Sequence, residues 1–152
     1  MRATFEGGTG MDAVSYHVFT KEACEEVLRL WRNTEGICLH ENGEDTVEGI
    51  TYYLERNPGY SFIAKDNDKI IGALLCGHDG RRGFIHHLAV DKQYQKRKIG
   101  KTLLQMSIER LKKENIRKCI LFVLKKNAEA TTFYKHLNWQ AERRVRIFST
   151  IL

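Results

Sequence analysis

Proline is almost absent. Pro58 is the only one in 152 residues, so no Pro-rich linker divides the chain. At roughly 100–200 residues per domain, this length fits a single domain. Long apolar runs are missing too. The longest, residues 70–76 and 119–124, are strand-sized, far short of the roughly 18–20 residues of a membrane span. The opening MRATFEGGTG has three glycines and no apolar h-region, so no secretory signal is expected. Residues 1–12 read as a disordered tail ahead of one domain over residues 13–152. Repeats and low-complexity segments are absent. The four cysteines, Cys24, Cys38, Cys76 and Cys119, form no C-x-x-C pair. A reduced, cytoplasmic protein with thiols buried as small hydrophobes is the expectation. Cys76-x-His78 with His86-His87 fits no zinc spacing, and adjacent strand residues point apart, so no metal is expected.

What is present is ordinary globular composition, 42% hydrophobic and 29% charged. Lys plus Arg is 25 against 19 acids, a net charge of +6, which favours an anionic partner. The charge is segregated. Residues 33–55 hold six acids and no Lys or Arg, while residues 92–118 hold ten basic residues and two acids.

Periodicity gives the elements. Residues 14–20 alternate as a strand. Ala23, Val27, Leu30 and Trp31 share a helical face, and so do Val47, Ile50 and Leu54 behind a cap at Asp45 or Thr46. Residues 60–64 and 69–78 form a hairpin through Asp66-Asn67-Asp68, and residues 84–90 a further strand. Ile99, Leu103, Leu104, Ile108 and Leu111 line a long amphipathic helix. Residues 119–124 read as a strand, 127–137 as a short helix and 144–151 as a terminal strand. The class is α+β, with a mixed, mostly antiparallel sheet and a helical crossover between its parallel pair.

The chemistry gathers where the strand Leu88-Ala89-Val90 runs through a loop into the long helix. The first N–H groups of a helix lack partners and carry about half a positive charge, which makes an anion site. Lys92, Lys96, Arg97, Lys98 and Lys101 surround it. Gln95-x-x-Lys98-x-Gly100 resembles the Q/R-x-x-G-x-G/A pyrophosphate loop of the GNAT (GCN5-related N-acetyltransferase) superfamily. Asn127-x-x-Ala130-x-x-Phe133-Tyr134-x-x-x-Asn138-Trp139 is similar to that family's second block, one helix and one strand later. Residues 77–83 more loosely resemble its small bacterial YpeA-like members.

This resemblance implies the GNAT fold, a twisted sheet of about six to seven strands flanked by about four helices. It implies acetyl-CoA-dependent acetylation of an amine, with acetyl-CoA as co-substrate. The backbone of Lys96, Arg97, Lys98, Ile99, Gly100 and Lys101 would hold the pyrophosphate with Gln95 beside it. The edge of Leu88, Ala89 and Val90 would pair with the pantetheine arm in a splayed slot, and Asn127 would touch it. Tyr134 stands where the family places the acid that protonates the CoA thiolate. The family's base often lies on the strand of Phe84 and His86. Simple alternation puts Phe84, His86 and Leu88 on one face and Ile85, His87 and Ala89 on the other, which favours His86. His87, or Glu55 or Glu35 through water, are the alternatives. Cys119 is not expected to act as a nucleophile, so transfer is direct, in a ternary complex.

Two positions depart from the pattern. Lys98 replaces a glycine, and is expected to keep a negative φ with its stem turned outward. Asn138 replaces another, at little cost, because asparagine tolerates φ > 0. The acceptor is a peptide or small-molecule amine that the sequence does not specify. A homodimer is left open, and no nucleic acid or membrane partner is expected. A catalytically degenerate acetyl-CoA-binding protein is one alternative. A nucleic-acid module using the basic loop with Arg143, Arg144 and Arg146 is another, but it lacks any recognition motif.

Overall fold

The computed structural model describes residues 13–152; the expected tail, residues 1–12, lies outside the described residues. Strand β1 (Val14–Val18) leads through a single 3-10 turn into α1 (Cys24–Arg32), followed by α2 (Val47–Arg56), β2 (Phe62–Asp66), β3 (Lys69–His78) and β4 (Gly83–Val90). Another 3-10 turn precedes α3 (Ile99–Lys113), then β5 (Cys119–Leu121) and α4 (Ala128–His136). The sheet has five strands in the order β1-β2-β3-β4-β5. The first three pairings are antiparallel, and β4–β5 is parallel. A parallel neighbour needs a crossover, and α3 supplies it.

Local chemistry accounts for most boundaries. Thr46, not Asp45, caps α2: its Oγ1 accepts the Gly49 N–H at 3.0 Å. The β2–β3 hairpin pairs Asp66 with Lys69, so Asn67 sits in a two-residue turn with φ 52°, a conformation asparagine tolerates. Gly72 faces Ile99 and Leu103 of α3. Its neighbour Ala73 joins the core made with Val27, Leu28 and Trp31 of α1 and Ile50 and Leu54 of α2. Consecutive strand residues point to opposite faces, so α3 covers one face and α1 with α2 the other. Each fully buried aliphatic or aromatic side chain here stabilises the fold by roughly 1.5–3 kcal/mol.

The chain divides after Phe122 into one compact unit and a second, residues 123–152. The second holds α4, capped by Asn127, whose Oδ1 accepts the Ala130 N–H at 3.0 Å. Asn138 ends it with φ 66°, the left-handed geometry expected of a residue replacing glycine.

Several expectations need correction. The sheet has five described strands, not six to seven, and β5 stops at Leu121. Residues 144–151 form no strand: Val145, Ile147 and Ile151 alternate as a strand would, yet are 64%, 70% and 99% exposed. Alternation without a ladder or a buried face does not make a strand. Among the thiols, Cys24 and Cys76 are buried as expected, but Cys38 is exposed and Cys119 only half-buried. Among the described residues no helix is long and apolar enough to cross a membrane.

Candidate active site

β4 departs from regular alternation at its centre. Ala73 pairs with Ala89 and Leu75 with His86, so Leu74 of β3 stands opposite both His87 and Leu88 of β4. This is a β-bulge, and His87 takes it up with φ 53°. The bulge shifts every later residue to the other face. Ala89 therefore enters the α1–α2 core beside Ala73, on the side that His86 also faces. His86 lies edge-on to Tyr53 of α2 at 5.8 Å between ring centroids, and His87 against Trp31 of α1 at 5.0 Å. The two imidazoles are 6.4 Å apart. The alternation that ranked His86 above His87 does not hold, because both rings face the α1–α2 layer.

Their electrostatics differ. Burial, with the neighbouring His87, lowers the basicity of His86 against a partial opposing effect of Asp45 and Glu44. His87 Nε2 lies 2.9 Å from Asp45 Oδ1, and Asp45 Oδ2 accepts the His40 N–H at 2.8 Å. Burial by itself would push the Asp45 carboxyl up. The hydrogen bonds from His87 and His40 outweigh it and hold the carboxyl below its ordinary value. The sequence marked Asp45 only as a cap candidate; its partner is 42 residues away, and no local signal pairs them.

Below the bulge the sheet opens. β5 pairs with β4 only at Gly83, Phe84 and Ile85. On that side no described strand pairs with β4 from His86 to Val90. Those residues include Leu88, Ala89 and Val90, the expected pantetheine edge. Gln95 closes the following loop by donating from Nε2 to the Val90 carbonyl at 3.3 Å. The first helical bond of α3 runs from the Thr102 N–H to the Lys98 carbonyl, 3.0 Å. The N–H groups of Ile99, Gly100 and Lys101 are thus left for an anion. Lys96, Arg97, Lys98 and Lys101 are exposed around that end, with Arg97 over the Tyr94 ring at 5.3 Å.

The expectation of a negative φ at Lys98 is wrong. Lys98 is the N-cap of α3 with φ 62°, and Lys96 has φ 65°. The loop keeps the left-handed turn that glycine normally serves, and the lysine adopts it at about 1–2 kcal/mol. Glycine would remove that strain while adding freedom to the unfolded chain. Lys98→Gly is therefore expected to stabilise by about 1 kcal/mol at most, a Tm rise of roughly 2–4 °C. Its acetyl-CoA Kd should change by less than about tenfold, or ~1.4 kcal/mol. A hundredfold tightening in calorimetry would mean that the lysine obstructs the loop.

In the second unit Tyr134 is half-buried on α4, its ring 5.1 Å from Phe133 and 5.7 Å from Trp139. Asn127 uses its side-chain oxygen on the helix cap, which leaves its amide NH2 for other contacts. Burial pushes the Cys76 thiol up to about 12 and that of Cys119 up to about 11, so neither is a ready nucleophile. Among the described residues no group of three or more His, Cys, Asp or Glu comes together to hold a metal.

Comparison with known proteins agrees with this geometry. The profile of the Acetyltransferase (GNAT) family matches residues 22–139. N-alpha-acetyltransferase 30 of Schizosaccharomyces pombe is 32% identical over 99 residues, which are 62% of this chain and 66% of that protein, just under two thirds of its length. An acetyltransferase of Yersinia pestis is 25% identical over 82% of this chain and 86% of its own. Among solved structures, PaiA N-acetyltransferase of Thermoplasma acidophilum in complex with coenzyme A superposes with a TM-score of 0.75 at 21% identity, covering 86% of this chain and 91% of that one. Ard1 of Thermoplasma volcanium gives 0.71 at 18% identity, covering 82% and 80%. With the bulged, splayed sheet and the basic helix N-terminus already in place, the matched profile settles the family: the chain belongs to the GNAT acetyltransferases.

Proposed function

We propose that this chain transfers the acetyl group of acetyl-CoA to a primary amine by direct attack in a ternary complex. The observation that carries the reading is the opening of the sheet after Ile85, where no described strand pairs with the edge of β4 that runs toward the α3 N-terminus. A pantetheine arm pairs with such an edge as an added strand, and the N–H groups of residues 99–101 receive its pyrophosphate. Tyr134 protonates the departing thiolate, and an imidazole on β4, His86 or His87, supplies the base. The raised thiols of Cys76 and Cys119 support a path without a covalent enzyme intermediate.

The acceptor class follows from proton cost. Freeing a lysine-type amine at pH 7 costs about 4.6 kcal/mol, and an α-amine only about 1–1.4 kcal/mol. Relatives named N-alpha-acetyltransferase make peptide α-amines the first acceptors to screen. The acidic residues of the α1–α2 segment favour a cationic acceptor.

Acetyl-CoA at a hundred times its Kd should add about 2.7 kcal/mol of apparent stability, a clear rise in Tm by scanning fluorimetry. Dephospho-CoA should raise it less where the basic cluster meets the 3′-phosphate. No shift at millimolar acetyl-CoA would sink the reading.

A further inference from the structure

Three costs meet at the β4 bulge. His87 holds a left-handed backbone at φ 53°, worth about 1–3 kcal/mol of strain. Asp45 is a carboxylate only 4% exposed. Trp31, packed on His87, holds a buried indole N–H without a hydrogen-bond partner, the one such side-chain atom among the described residues, and an orphan donor costs about 1–3 kcal/mol. An asparagine or glycine would make the same bulge with less strain. Penalties concentrated in one place point to a role beyond packing.

The geometry names the role. A carboxylate only accepts, so the contact between His87 Nε2 and Asp45 Oδ1 places the ring hydrogen on Nε2 and the lone pair on Nδ1. Nδ1 makes no hydrogen bond within the described residues. The His87 side chain is 20% exposed and that of Asp45 5%, so the carboxylate backs onto protein and the imidazole reaches outward. A base oriented from behind by a carboxylate is the arrangement that acyl-transfer chemistry uses.

Resting on the acetyltransferase reading, we propose that His87 is the proton acceptor of the reaction and that Asp45 is its positioning residue. As a neutral amine attacks the thioester carbonyl, the C–N bond forms and the amine proton passes to His87 Nδ1. The C–S bond breaks with its electron pair on sulfur, which takes the Tyr134 proton. Bulk solvent takes up the imidazolium proton and reprotonates the tyrosinate. His86 then lines the site against Tyr53 without taking the proton.

Asp45→Asn tests this. The His40 N–H requires an oxygen at one end of the side chain, so the new amide must turn its NH2 toward His87 Nε2. Nε2 then accepts, the ring hydrogen moves to Nδ1, and the outward lone pair is lost. In the full chain labelled with 15N-histidine, ring nitrogen shifts should report an Nε2–H tautomer for wild type and Nδ1–H for Asp45→Asn. With acetyl-CoA and a tetrapeptide bearing a free α-amine, kcat/KM should fall by roughly 10²–10⁴-fold. The imidazole limb of its pH profile should vanish, read against the groups that face the two rings: Asp45, His40 and Glu44 from the α1–α2 loop, and Tyr53 from α2. His87→Asn keeps a residue tolerant of φ > 0 and should match it, with no further loss in the double variant. The acetyl-CoA-induced Tm rise should persist in all three. An unchanged tautomer and pH profile in Asp45→Asn, or a larger loss in His86→Asn than in either variant, would overturn the dyad while acetyl-CoA still binds. A wild-type chain that fails to bind acetyl-CoA would overturn both readings together.

Discussion

Replacing Tyr134 with phenylalanine is expected to lower kcat by roughly 10²–10⁴-fold, the scale of a positioned proton donor, and to leave acetyl-CoA affinity nearly unchanged. The ring has apolar contacts of its own. It packs between Phe133 at 5.1 Å and Trp139 at 5.7 Å, and the Tyr134 carbonyl accepts the Trp139 N–H at 3.0 Å as α4 ends. Phenylalanine retains these ring and backbone contacts and removes the hydroxyl. A CoA thiolate resembles a cysteine thiolate near ~8.5 and tyrosine ionises near ~10, a gap small enough for transfer. In the proposed binding mode, ground-state affinity for the cofactor draws on β4 and the α3 N-terminus instead, so the loss should fall on kcat. Rapid-quench turnover, under conditions where chemistry limits the rate, provides the check. An unchanged kcat would return Tyr134 to the role of a core aromatic.

The parts of this protein that local chemistry determines were legible in the sequence. The α3 stripe, the two-residue turn at Asn67 and the parallel crossover all follow from periodicity and turn residues. What escaped is set by tertiary structure. Nothing in Phe84-Ile85-His86-His87-Leu88 marks a bulge, because its left-handed residue is a histidine where a glycine would have signalled it. The Asp45–His87 pair joins a loop to a strand across the fold, and Asp45 looked like a helix cap because Thr46 beside it is one. Lys98 shows the same limit from the other side. The motif's missing glycine predicts a different backbone, whereas the loop keeps its geometry and imposes it on lysine. The terminal segment alternates as a strand would and forms none, since a strand needs a partner edge that sequence cannot display.

Gly100→Asp should separate folding from cofactor binding by moving them in opposite directions. Gly100 is the second residue of α3, whose first turn contains no acidic side chain. A carboxylate there meets the positive end of the helix dipole and should stabilise the unliganded chain by about 0.3–1 kcal/mol. The same carboxylate would occupy the place proposed for the pyrophosphate. Two like charges about 5 Å apart at an effective dielectric near 20 repel by roughly 3 kcal/mol, which corresponds to a Kd about a hundredfold weaker. Gly100→Ala adds volume without charge, and its smaller loss apportions the steric share. Calorimetric titration with acetyl-CoA and a ligand-free melting curve on each variant read the two effects separately. The expected pair is an equal or higher Tm with at least a hundredfold loss of affinity in Gly100→Asp. Wild-type affinity in that variant would place the phosphates away from the α3 N-terminus, and the basic cluster of Lys96, Arg97, Lys98 and Lys101 would then need another anion.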